Sequence, residues 1–174
     1  MTRRRRIGSA ALLATAAALA LAALPSLVIL PTRFLWNASS SVPIGLYRVA
    51  PITAPVLGEL VAVTPPEPLV RFLAERGYLG EDVPLIKRVA ALHGQTVCRL
   101  DERILIDGAV VAVAQARDNL GRALPDWQGC RVLGADDVLF LNAEPRSLDG
   151  RYFGPLSRGS ILGRAVPVWT DEAT

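Results

Sequence analysis

Lys87 is the sole lysine among 19 Lys and Arg residues. Lysine offers chemistry that arginine cannot, because a desolvated ammonium gives up its proton at usable pH and a guanidinium does not. The neighbours Leu85, Ile86, Val89, Ala90 and Ala91 are apolar, so a strand through them is largely buried on both faces. Burial disfavours the charged form and lowers a lysine pKa from ~10.4 by up to several units. Such a neutral amine is a competent general base for a serine hydroxyl. Ser39, Ser40 and Ser41 stand in a row just before Pro43 and Gly45. By itself a serine run reads as a linker or turn. By itself the lysine reads equally as a stem lying along apolar surface, or as the partner of a carboxylate.

Two other places hold reactive residue types. His93 is the only histidine, and it precedes Gly94 in what reads as a turn; a surface bystander is the simpler reading. Between 142 and 156, Ser147, Asp149 and Arg151 are spaced two apart. In an extended chain they share one face, and the acid and guanidinium suit a charge-assisted pair.

The elements positioning these residues read as short strands with turns and one helix. "GLYRV", "GELVAVTPP" and "PLIKRVAAL" are strand-like, with Leu85, Lys87 and Val89 on one face. "PEPLVRFLAERGY" spaces Leu69, Val70 and Leu73 as a helix does, between a starting Pro and Gly77. "RILIDGAVVAV" reads as a hairpin turning at Asp107-Gly108. "QARDNLGRALPDWQGC" reads as a loop or cap, and "DVLFLNAEP" and "GSILGRAVPVW" close the chain as strands. The fold class expected is mainly β.

Ahead of this domain, Arg3–Arg6 precede an uncharged, Ala- and Leu-rich stretch from Ile7 to Leu30. Its length suits a membrane-crossing helix, and the arginines keep the N-terminus cytoplasmic. Small residues at Ala20-Leu21-Ala22 leave a cleaved signal peptide as the competing reading. All 16 acidic residues follow Thr32, so the net charge of +3 comes from those four arginines. The balance offers no basic patch for nucleic acid. Cys98 and Cys130 both fall in the part expected to be exported, where a disulfide between them can form and persist, with two free buried thiols as the alternative. They are too few, with one histidine, for a zinc tetrad.

Together, "NASSSVPIGLY", "LIKRVAALHGQTV", and "RSLDGRYFGPL" with "ILGRAVPVW" resemble the nucleophile, lysine and C-terminal boxes of the signal peptidase I superfamily. Within it they are similar to the TraF-type branch, the signal peptidases of plasmid conjugation systems. The resemblance implies a signal-peptidase-like antiparallel β domain with an N-terminal transmembrane helix. Its parts would be a basic segment over 1–6, an anchor over 7–31, and a periplasmic peptidase domain over 32–174 with a small cap at about 98–135.

It implies Ser41 as nucleophile, Lys87 as general base and Arg88 as a brace. Ser39 takes the place of an oxyanion donor, Ser147 orients the amine, and Asp149 and Arg151 form a supporting pair. No metal or organic cofactor is implied. The implied partners are the membrane and precursors with signal sequences, the conjugative pilin precursor among them. The implied location is the bacterial inner membrane, crossed once. A general signal peptidase with broad substrates, or a non-catalytic component of a transfer apparatus, are the alternatives. Two departures stand out: Gly150 where relatives often have serine, and His93 where many have proline.

Overall fold

The computed structural model describes residues 13–19, 33–81 and 83–171, in two units, Met1–Thr32 and Arg33–Thr174. In the first, residues 13–19 are helical (α1). The remainder of the anchor expected over 7–31 lies outside the described residues. Among the described residues no helix is long and apolar enough to cross a membrane.

The second unit is mainly antiparallel β. Its larger sheet has seven strands: β1 (Phe34–Asn37), β2 (Gly45–Ala50), β3 (Leu60–Val63), β4 (Leu85–Ala91), β9 (Asp137–Phe140), β10 (Leu156–Ser157) and β11 (Ile161–Thr170). Their order is β1-β2-β11-β3-β4-β9-β10. β3 lies mid-sheet between β11 and β4, and Val61, Ala62 and Val63 are wholly buried. Its run of apolar residues without alternation is what burial on both faces demands.

The smaller sheet, ordered β7-β6-β5-β8, comprises β5 (Thr96–Leu100), β6 (Arg103–Ile106), β7 (Ala109–Val113) and β8 (Gly129–Val132). The β6–β7 hairpin at its edge turns at Asp107 and Gly108, both at positive φ (50° and 84°), as a two-residue turn of this twist needs. Cys98 on β5 and Cys130 on β8 are register partners and form a disulfide.

The helix read from periodicity is α2 (Glu67–Glu75), which buries Leu69 and Leu73 on one face; Pro66 is its N-cap. The stretch around Asp149 differs from the extended reading. Asp149 caps a one-turn helix, α3 (Gly150–Phe153), its side chain accepting from the Arg151 amide. Asp149 and Arg151 thus meet across a helix cap and not along a strand face. A carboxylate that satisfies orphan N–H groups at a helix start outweighs the weak extended preference of this short polar run.

Candidate active site

The serine run folds as a tight turn between β1 and β2, organised by a residue the sequence alone did not single out. Asn37 ends β1 and is 9% exposed. Its Nδ2 donates to the carbonyls of Ser39 (2.7 Å), Val42 (3.0 Å) and Pro43 (3.1 Å). Its Oδ1 accepts from Ser39 N (3.2 Å) and Ser39 Oγ (2.9 Å). One amide side chain therefore satisfies the backbone of the whole turn, a task for which Asn carries both donors and an acceptor. Tyr47 adds a second tie, its hydroxyl donating to Pro43 O (2.7 Å). Gly45 leaves the turn at φ 149°, with no room for a Cβ against the Trp169 backbone.

Ser39 Oγ lies 2.9 Å from Ser41 Oγ. Having given its one proton to Asn37, Ser39 is left as the acceptor for the Ser41 hydroxyl. Ser41 is half-buried, while Ser39 and Ser40 are exposed.

Lys87 projects from β4 into the same cleft, a cavity of about 370 Å³ whose walls include Ser39, Ser41, Leu73, Lys87 and Ser147. Lys87 is 4% exposed. Burial pushes its pKa down to about 8, against the opposing pull of the Asp149 charge and with help from Arg151. Its Nζ donates to Ser147 Oγ at 3.1 Å. Among the described residues no hydrogen bond joins Nζ directly to Ser41 Oγ; each holds a neighbouring serine instead.

Behind the lysine sits a dry ionic knot. Arg151 Nη1 donates to Asp149 Oδ2 at 2.6 Å, with side-chain exposures of 4% and 0%. A second residue outside the sequence reading joins this pair to the lysine strand. Asn142 Oδ1 accepts from Arg88 N (2.9 Å) and Nδ2 donates to Ile86 O (3.1 Å). It thereby clasps the backbone on both sides of Lys87. Asn142 also gives its amide to Asp149 Oδ2 (3.0 Å) and its carbonyl to Arg151 Nη2 (2.8 Å).

Arg88 enters through that amide alone. Its exposed guanidinium donates to Gly58 O at 2.6 Å and is not part of the cleft wall. His93 is exposed in the turn after β4, with Nδ1 3.2 Å from Leu133 O, and it also lies outside the cleft wall. Among the described residues no three His, Cys, Asp or Glu side chains cluster as metal ligands.

Gly150 has a steric reason. A Cβ there would stand 2.5 Å from Leu139 Cδ1 and 2.7 Å from Phe140 O. The Gly150→Ser protein is therefore expected to lose about 1–3 kcal/mol through overpacking. Chemical denaturation measures this, and an unchanged midpoint would mean that β9 gives way freely.

The domain is thus a β-rich fold with a cleft that brings Ser39, Ser41, Lys87 and Ser147 into one wall. The chain belongs to the signal peptidase family, peptidase S26, which matches residues 6–170. The conjugal transfer protein TraF of Agrobacterium fabrum is 42% identical over 149 residues, 78% of this chain and 82% of its own. A probable conjugal transfer protein TraF of Sinorhizobium fredii is 33% identical over 180 residues, 98% of this chain and 95% of its own. A signal peptidase I from Enterococcus faecalis V583 superposes with a TM-score of 0.40 at 21% identity, over 65% of this chain and 97% of its own.

Proposed function

We propose that the chain is a membrane-anchored serine endopeptidase cleaving the signal sequences of exported precursors through Ser41 and Lys87. The observation that carries this reading is the dry Lys87 amine, its pKa near 8, in the wall of the same cleft as Ser41. Ser147 occupies one amine proton, which leaves the nitrogen lone pair of the neutral form free for another partner. As Ser41 Oγ attacks the scissile carbonyl, that lone pair takes the serine proton. The tetrahedral oxyanion is met by the Ser41 amide and the Ser39 hydroxyl, once Ser39 turns its proton from Asn37. The lysine then returns the proton to the leaving amine, and water resolves the acyl-enzyme with the amine again as base.

The two relatives are named for conjugal transfer, which supports the conjugative pilin precursor as a substrate. The uncharged run over 7–31 is the anchor, single-pass in the inner membrane, and Arg3–Arg6 ahead of it leave the catalytic domain in the periplasm.

The pH profile of peptide cleavage tests the base. The neutral amine is the active form, so kcat/KM is expected to rise through a single apparent pKa near 8 and then level. His93→Ala is expected to leave that limb in place. Loss of the limb in this variant would transfer the base role to histidine and overturn the serine/lysine assignment.

A further inference from the structure

Beside the cleft lies a second cavity of about 310 Å³, walled by the end of α2, the 115–124 loop and the segment around Leu148. Tyr78, Arg146 and Leu148 line both cavities. The two cavities therefore adjoin at these three residues.

Hydrogen bonds tie the loop that walls this cavity to itself and to the end of α2. Asp118 Oδ1 accepts the amides of Leu120 (2.9 Å) and Arg122 (2.8 Å), and Oδ2 accepts Arg122 Nε (2.7 Å) and the Tyr78 hydroxyl. Arg122 Nη1 donates to Arg76 O (3.1 Å) and Arg76 Nη1 to Ala123 O (2.9 Å), stapling the loop to the end of α2. Partial burial works against the charged form of Asp118, but these hydrogen bonds hold it well below the usual carboxylate range.

The charges do not cancel. Arg76, Arg122 and Arg146 line the cavity against Asp118 alone, and Asp118 is committed to Arg122. Arg146 has only a loose partner, Glu144 at 3.6 Å, and its side chain is 65% exposed. The Arg76 guanidinium lies 4.9 Å over the Phe72 ring and has no carboxylate within ion-pair distance among the described residues. Two guanidiniums in a concave site next to a peptide cleft are complementary to a carboxylate.

We propose that this cavity is a subsite of the peptidase groove that takes a carboxylate of the bound precursor, an acidic side chain or a free C-terminus. The proposal rests on the reading of the neighbouring cleft as the peptide-binding site.

The test uses peptides sharing one cleavage sequence. In one set a single Glu is moved outward from the scissile bond, with Gln in its place as control. In the other, peptides of increasing length end in a free or an amidated C-terminus. One placement of the carboxylate is expected to lower KM by ~10-fold against its neutral counterpart, with kcat little changed and the preference shrinking in 0.5 M NaCl. A preference for Glu identifies a side chain, and one confined to free acids identifies the C-terminus.

Arg76→Gln is expected to erase most of this preference, and Arg76→Lys, which keeps the charge but not the fork, to retain most of it. The fold of each variant is checked by circular dichroism. Cleavage of every peptide without any preference for a carboxylate overturns the subsite, as does a preference undiminished in a folded Arg76→Gln protein. If no peptide is cleaved, the reading of the cleft fails instead. Calorimetric binding of the acid and neutral peptides to Ser41→Ala protein then decides the subsite separately: tighter binding of the acid supports it, and equal or absent binding overturns it.

Discussion

Lys87→Arg is expected to abolish precursor cleavage, by ~10³-fold or more in kcat, although it keeps the positive charge. A guanidinium holds its proton at any working pH, so it cannot relieve Ser41 of one. Lys87→Met separates this from a structural role. At pH 7 the buried ammonium works against folding, since its pKa falls from 10.5 to about 8, equivalent to ~3 kcal/mol. The folded pKa is the lower one, so the cost is present in full below about 8 and fades as pH rises toward the unfolded value. Lys87→Met is thus expected to be inactive yet no less stable than wild type at pH 7, with any stability advantage lost by pH 10.5. A lysine kept as a mere ion-pair partner would show the reverse: activity retained in Lys87→Arg and lower stability in Lys87→Met. On the nucleophile side, Ser41→Ala belongs with the inactive variants. Ser39→Ala is expected to lose ~10²–10³, and the exposed Ser40→Ala almost nothing. An essential Ser40 beside a dispensable Ser41 would move the nucleophile by one residue.

The lysine was legible in the sequence because two local signals coincide there: a residue type used once, and an apolar strand without alternation around it. The hairpin at Asp107-Gly108 and the helix α2 were legible for similar reasons, each being written in contiguous residues whose φ preferences or spacing suffice. The support behind the site was not. Asn37 and Asn142 act through backbone groups, and for Asn142 these lie as far away as Ile86 O, 56 residues along the chain. An asparagine has no periodicity to betray such a bond; only the pairing of β4 with β9 brings the partners together. Asp149 and Arg151 were recognisable as a pair, but their meeting over a helix cap depended on Gly150 packing flush against β9. Arg88, expected as a brace, meets Asn142 through its backbone amide while its guanidinium turns to Gly58 O, a division that the sequence does not display. The four-residue β1 is too short for a pattern, and its identity rests on register with β2.

Asp149→Asn is expected to cost about 3–5 kcal/mol of stability, the range for removing one partner of a buried ion pair. In a domain of this size that lowers the melting midpoint by roughly 10–20 °C. Asparagine fills the same space but carries no charge, so the Arg151 guanidinium is left dry and uncompensated, with its Nε already lacking a hydrogen-bond partner. The amide also turns its NH₂ toward donors, the Arg151 amide in one orientation or the Asn142 amide and Arg151 Nη1 in the other. The same change reaches the reaction through Lys87. Asp149 raises the lysine pKa and Arg151 lowers it, so losing the carboxylate is expected to carry the acid limb of kcat/KM below about 8. Arg151→Met removes the opposite charge and is expected to carry the limb upward, while destabilising the fold for the mirror-image reason, a buried carboxylate without its partner. Two variants that weaken the fold alike should therefore move the pH profile in opposite directions, which general loosening of the site does not do. Thermal melts and pH profiles of both proteins, at a temperature where each is folded, provide the measurement. Limbs shifted in the same direction would mean that the group titrating in the profile is not an amine placed between these two charges.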